Sequence, residues 1–472
     1  MLSLTQLLLV LDSTVMNVAL PTVQADLGFS STDRQWVVTA YALVFGGTLL
    51  AGGRLSDMLG RKRTLLLATA GFTLASVLGG LADGFGTLVV ARALQGLFGA
   101  LLAPATLSLM ATTFTEAKVR GKAFGVFGAV SSSGSAIGLL LGGALTEYLN
   151  WRWCLLVNVA VGLVVLATAV AVVPAQEAVS PRPRMDLPGM ITSLLGVLAL
   201  VYGCSAAERD GWTSAVTLGS LGTGVLLLGL FVVIQTRVSQ PLLPMRVVRD
   251  RNRAGAYLMV AIAGVGMFGA FLFLAYHLQQ VLGFTAMMTG AAFLPMVIAM
   301  VVMAIATGAV LLPRTGPRPL VVGGFLLTAA GTALFTLLDV HSTYAAGILP
   351  GLLITGAGFG LIFGPAMNLA TDRVDPADAG AASALVNAGQ QIGAAIGTAL
   401  LNTIAVSATT RYLATHPHIS DAATHATVHG NTVAFWATVA VLILGALTCG
   451  LLIRPGRHTE TPGAETTGTP VV

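Results

Sequence analysis

The sequence predicts an all-α polytopic membrane protein with fourteen transmembrane helices, two sets of six flanking an inserted pair. Three observations predict it. The 472 residues are 55% hydrophobic and only 9% charged, with a mean hydropathy of +0.86, so lipid and not water must solvate most of the surface. The chain holds fourteen apolar runs long enough to cross about 30 Å of hydrocarbon. The basic residues segregate between alternate loops, as membrane insertion requires.

The first six runs cover residues 2–20, 35–55, 64–82, 86–110, 123–145 and 153–173. The polar stretch AQEAVSPRPRMD then separates them from two runs at 187–204 and 216–235. After the basic stretch RVSQPLLPMRVVRDRNR come six more, at 254–281, 289–312, 320–338, 345–370, 384–406 and 433–453. The expected organisation is an N-terminal six-helix bundle over 1–174, linkers and a two-helix insert over 175–253, a C-terminal six-helix bundle over 254–453 and a tail over 454–472. The first run lacks a basic flank and a small-residue cleavage pattern, so it reads as a retained span and not a removed signal.

An even number of spans puts both termini on one side. Of the 24 Lys and Arg residues, nineteen fall in loops on that side. Four, Arg34, Arg152, Arg209 and Arg411, fall opposite, and Arg92 lies within a span. Cytoplasmic loops retain positive charge, so the expectation is a multi-pass protein of the cell membrane with both ends cytoplasmic. The net charge of +5 is thereby explained without nucleic acid. Cys154, Cys204 and Cys449 lie in or beside apolar runs without metal or redox spacing, so neither a metal centre nor a disulfide framework is expected.

Two halves of six suggest an internal repeat. GRLSDMLGRKR, residues 53–63, occupies the place that AVLLPRTGPRP, residues 309–319, occupies in the second half. Gly60 matches Gly316, while Asp57 faces Pro313, so only the first copy keeps its acid. GRLSDMLGRKR resembles the loop motif of the major facilitator superfamily between helices 2 and 3. LDSTVMNVALP resembles the helix 1 motif of its fourteen-span drug:proton antiporter branch. RALQG, residues 92–96, is similar to the superfamily's helix 4 arginine motif. Gly125, Gly134, Gly138, Gly142 and Gly143 keep the spacing of its helix 5 antiporter motif, with Leu139 where a proline usually stands. The match extends to GFGLIFGPAMNLATDRVDPADAGAASALVNAGQQIG in the second half.

The resemblance implies the major facilitator fold and roles for particular residues. Asp12 and Arg92 are implied in proton coupling. Gly53, Asp57, Gly60 and Arg61 are implied in a latch that shuts the cytoplasmic side. Each motif also has a plainer reading: a basic turn for GRLSDMLGRKR, and small-residue helix packing for the helix 5 glycines. Asp12 is an acid well inside a span, where charge is costly. Two readings fit it: a structural one, a permanent ion pair with Arg92 or a hydrogen bond to a polar neighbour such as Asn17, and a functional one, a carboxyl facing a central cavity that loads and releases a proton.

Polar residues on spans, Asn17, Gln95, Asn387, Gln390, Gln391 and Asn402, are candidates for a substrate cavity. TRYLATHPHISDAATHATVHGN reads as a solvated exterior loop with four histidines, and GAGFGLIFG as packing and not a nucleotide site, since no strand precedes it. The expected function is export of an amphipathic drug or antibiotic in exchange for protons, without enzymatic chemistry, cofactor, metal or ATP, by a chain acting as a monomer. Import of a small metabolite on the same fold is the alternative.

Overall fold

The computed structural model describes residues 1–30, 33–113, 130, 134, 137–173, 186–239, 241–243, 245–371, 374, 379–416 and 421–454. All regular structure among them is helical. The first six helices are α1 (Leu2–Leu27), α2 (Arg34–Leu59), α3 (Arg61–Gly80), α4 (Phe85–Thr113), α5 (Ile137–Tyr148) and α6 (Trp153–Val172). A hairpin of α7 (Leu187–Asp210) and α8 (Ala215–Arg237) follows, then the short α9 (Met245–Val248). The remainder is α10 (Arg251–Tyr276), α11 (Ala286–Ala306), the short α12 (Leu312–Thr315), α13 (Pro317–Phe335), α14 (Leu349–Thr371), α15 (Ala379–Thr415) and α16 (Ala422–Leu452). Twelve of the described helices are long and apolar enough to cross a membrane, and shorter apolar segments at Trp36–Leu49 and Ile137–Tyr148 stand where the second and fifth runs were expected.

Helices dominate because a chain in lipid must satisfy its own backbone groups. The N-terminal six pack as α2 on α4, α3 on α4 and α6, and α1 on α6 and α4. The C-terminal six pack as α10 on α15 and α16, α13 on α14 and α16, and α11 on α14. Glycines permit the closest of these approaches. A Cβ at Gly52 would stand 2.1 Å from the Ala100 carbonyl oxygen, and one at Gly96 2.5 Å from that of Tyr41. In GAGFGLIFG, a Cβ on Gly356 or Gly360 would collide with the backbone of α11, so the segment serves packing.

The insert packs on both halves. Leu194 and Val197 of α7 meet Ala42 and Leu43 of α2 and Ala395 and Ala399 of α15 in one apolar cluster. The hairpin is closed at its base, where Asp186 accepts hydrogen bonds from the Gly189 amide at 2.9 Å and from Gln235 Nε2 at 2.6 Å. On its other side α8 is exposed to lipid, with Val225 and Leu226 largely uncovered.

The internal repeat survives in the backbone. Gly60, between α2 and α3, has φ +86°, and Gly316, between α12 and α13, has φ +76°. Both turns require a left-handed residue, which glycine adopts without a Cβ penalty. At Gly53 a Cβ meets only Pro104 at 3.9 Å, and its neighbour Gly52 makes the close approach to α4. The backbone of Asp57 lies in α2, and its side chain is outside the described residues, as is Gly125.

The histidine-bearing exterior segment is a correction. α15 continues to Thr415 and α16 begins at Ala422, so most of the expected loop is helix. Tyr412 stacks on His416 with ring centroids 4.3 Å apart and lies 5.0 Å from His429. Its polar composition reflects helices that project past the hydrocarbon, since 37 residues of α15 span about 55 Å.

Candidate functional site

Two faces bound the helices: a basic face carrying Arg61, Lys62, Arg63, Arg314 and Arg318, and an opposite face carrying Gly28 and Gly283. Between them lies a cavity of about 610 Å³, lined by both halves. Ligand pockets for drug-sized molecules fall in this range. Asn17 of α1 and Asn387, Gln390 and Gln391 of α15 line it, as expected from their place on the spans, and Gln6 joins them. Apart from Ser13 and Thr14, the rest is mostly apolar and soft: Met267, Met296, Met300 and Met367, with Tyr41, Phe45, Phe268 and Phe271. Methionine adapts its shape to its contacts, which suits a site for varied apolar bodies. No charged side chain is among the described lining residues.

Gln95 and Asn402 are corrections. Neither lines the cavity, and both are fully buried elsewhere because stronger partners hold them. Gln95 sits three residues from Arg92 on one face of α4, and both reach Asp12. Arg92 Nη1 donates to Asp12 Oδ2 at 2.7 Å, and Gln95 Nε2 donates to Asp12 Oδ1 at 2.8 Å and to Ser76 Oγ of α3 at 2.9 Å. Asn158 of α6 adds a third donor to Asp12, Nδ2 to Oδ1 at 2.7 Å.

Asp12 itself is therefore not a cavity residue in this conformation. Its side chain has no solvent exposure, and it forms the buried ion pair with Arg92. Of the two sequence readings of Asp12, this geometry is that of the ion pair. Ser13, Thr14 and Tyr41 stand between the pair and the cavity. Tyr41 couples the two regions: its ring lies 4.6 Å from the Arg92 guanidinium and faces Phe45 on the cavity side. Arg92 Nε also donates to the Val37 carbonyl at 3.2 Å, so α4 grips α2 at two points.

The halves join at the opposite face. Arg34 of α2 is buried there, donating from Nε to Asn402 Oδ1 of α15 at 2.7 Å, with its guanidinium 4.1 Å over the Tyr276 ring of α10. Tyr276 Oη donates to Gln24 Oε1 at 2.6 Å, and Gln279 Nε2 donates to the Val18 carbonyl at 3.0 Å. Of the described helix 5 glycines, Gly143 belongs to the same seam, pressing α5 against Ala286 and Met287 of α11, while Gly138 and Gly142 press α5 against Thr14 and Val15 of α1 within the N-terminal half and Gly134, just before α5, meets Leu7. Gln6, Leu107 and Met367, by contrast, carry the cavity toward the basic face.

The sequence did not single out Arg34, Asn158 or the cavity's methionines and aromatics. Signals for some existed: Asn158 is the one amide in the strongly apolar run LLVNVAVGLVV, and α11 carries five methionines in MMTGAAFLPMVIAMVVM.

Among the described residues, a helical membrane bundle whose two six-helix sets enclose a central cavity and close over it at one face has the architecture of a carrier of small molecules. Residues 2–398 match the Major Facilitator Superfamily, and the chain belongs to that family. It is 49% identical over 465 residues to the puromycin resistance protein pur8 of Streptomyces alboniger, covering 98% of this chain and 91% of that protein. It is 39% identical to the cephamycin export protein CmcT of Amycolatopsis lactamdurans over 85% of this chain and 83% of that one. With the multidrug efflux pump LfrA of Mycolicibacterium smegmatis the identity is 34%, over 85% and 79%. A bacterial homologue of the human lysosomal transporter Spinster, solved in an inward-facing and occupied conformation, shares the fold with a TM-score of 0.68 at 15% identity, over 96% of this chain and 95% of that one.

Proposed function

We propose that this chain exports amphipathic antibiotic-like molecules across the cell membrane in exchange for protons, with the basic face and both termini in the cytoplasm. The observation that carries the reading is the uncharged, amide-studded, methionine-rich cavity in a chain half identical to a puromycin resistance protein. Amides from both halves hydrogen-bond the polar part of a substrate, and the sulfur and aromatic surface takes its apolar body. In the conformation described, the halves are locked at the exterior face, and the cavity extends toward the cytoplasm. Proton binding at Asp12 weakens its hold on Arg92 and, through Tyr41, changes the cavity wall. Asp57, with Gly60 and Arg61, latches the cytoplasmic mouth in the opposite conformation. The proton gradient supplies the energy without a cofactor, and one chain encloses the whole cavity, consistent with a monomer.

Energised everted membrane vesicles test this with puromycin as the probe. Vesicles containing the protein accumulate puromycin on acidification of their lumen, and Asp12→Asn abolishes the accumulation because an amide carries no proton. Accumulation in right-side-out vesicles instead would make the protein an importer and overturn the reading.

A further inference from the structure

Asp12 accepts three hydrogen bonds, from Arg92, Gln95 and Asn158. Three donors suit a carboxylate. A carboxylic acid is different: once a proton binds, one oxygen becomes an O–H donor, and one neighbour must turn from donor to acceptor. Arg92 cannot, since a guanidinium has no acceptor atom. Gln95 is pinned, because its Oε1 accepts from Arg92 Nη1 at 2.9 Å, and turning its amide over would set donor against donor. Asn158 is held at one end only. Its Nδ2 donates to Asp12 at 2.7 Å, while its Oδ1 is fully buried without a hydrogen-bond partner among the described residues. A buried acceptor left unmade is costly and calls for an explanation.

We infer that Asn158 is a positioning residue for the transported proton: its amide donates to the Asp12 carboxylate and rotates by half a turn to accept from the Asp12 carboxyl. The only covalent change is the O–H bond made and broken at Asp12 Oδ1, with the proton exchanged with water. The orphaned Oδ1 is then the acceptor that the protonated state needs. Among the described residues, no other group near Asp12 competes for this role. The charge facing it is Arg92 of α4; α2 contributes Tyr41, stacked beyond the guanidinium, and α3 contributes Ser76. From α10, Tyr276 is engaged farther along α1 with Gln24, and α11 faces α1 with the apolar Met296 and Val297 at the cavity.

The inference rests on Asp12 as the proton carrier, and a double-mutant cycle separates the two ideas. Puromycin transport is measured in vesicles for the wild type, Asn158→Leu, Asp12→Asn and the double variant, both uphill on a proton gradient and downhill without one. Asn158→Leu is expected to lower the uphill rate roughly tenfold further than the downhill rate, the effect of one buried hydrogen bond. In the Asp12→Asn background it adds no further loss downhill, because no carboxyl remains to be served. Equal losses uphill and downhill, persisting in that background, would mean that Asn158 only packs, and the inference falls. Proton-driven accumulation by Asp12→Asn itself would remove the coupling reading and the inference together.

Infrared difference spectra between acid and neutral pH read the amide directly and do not need the leucine variant to fold. In protein carrying isotope-labelled asparagine, the carboxylic band that Asp12→Asn removes is accompanied by a label-sensitive amide change. Asn158→Gln keeps an amide but carries no label at that position, so the label-sensitive change disappears while the carboxylic band stays. A wild-type spectrum with no such amide change overturns the inference.

Discussion

Asp12 and Arg92 sit 2.7 Å apart with side-chain exposures of 0% and 2%, so the pair is desolvated on every side. Such pairs are asymmetric under mutation. Removing one partner strands the other charge and costs about 3–5 kcal/mol, whereas replacing both with apolar residues of similar volume is close to neutral. Asp12→Ala therefore lowers the stability of the detergent-purified protein by about that amount, and adding Arg92→Met restores most of it, a pattern that melting curves of the four proteins display. Restored stability does not restore proton-driven export, which separates what the pair does for folding from what it does for transport. The pairing was legible in the sequence, since an intramembrane acid and an intramembrane base seek each other. The cage around it was not. Gln95 reads equally well as a cavity residue, because sequence fixes that it lies three places from Arg92 but not which face of α4 looks inward. Asn402 misled for the same reason, its partner Arg34 lying 368 positions away.

The seam between α5 and α11 shows how an element's small residues set a conformational equilibrium. A Cβ on Gly143 would stand 2.5 Å from the Met287 Cα, and one on Gly290 2.2 Å from the Leu139 carbonyl oxygen. Backbone cannot yield as a side-chain tip does, so the larger residue must push the helices apart. Gly143→Val thus destabilises the conformation closed at the exterior face and shifts the population toward the one open there. A cysteine placed at Val18, buried in the closed seam, is labelled faster by a membrane-impermeant maleimide in that variant than in its absence. An unchanged labelling rate would mean that α5 and α11 do not part during transport. Span positions and the glycine spacing of α5 were legible because hydropathy and residue size are local properties. The lengths of α15 and α16 were not, because polar residues at helix ends outside the lipid resemble loop residues, and only stacking such as Tyr412 on His416 distinguishes them.

Across the whole molecule, the repeat gives both halves the same left-handed glycine turn but places an acid, Asp57, where the second half has Pro313, so the two turns at the mouth on the basic face are chemically unlike. Asp57→Ala is expected to lower turnover more than apparent affinity and to raise labelling of a cysteine at Gln6, on the cavity wall toward that mouth. The same scarcity of acids constrains the substrate. A divalent cation bound in the cavity needs about two compensating charges, since an uncompensated charge in low dielectric is strongly unfavourable. The described cavity wall offers none. Asp12 is enclosed with Arg92 behind Tyr41, and three acids at the face opposite the basic one are engaged: Asp26 with Arg152 at 2.9 Å, Asp33 with Ser30 at 2.7 Å, and Glu147 with the Met287 amide at 3.1 Å. Neutral, zwitterionic and singly charged amphipaths are therefore exported well, and rigid bis-quaternary compounds are not. Vesicle transport of a matched pair, one monocation and one bis-cation of equal apolar size, is expected to favour the monocation by roughly tenfold or more, which corresponds to only about 1.4 kcal/mol of the desolvation difference. Monocation export also declines as acid in the bath around everted vesicles, the side from which substrate loads, keeps Asp12 protonated, because the proton removes the negative charge that offsets Arg92. Robust export of the bis-cation would show that a second acid turns into the cavity during the cycle, with Asp33 at the start of α2 the nearest to the mouth.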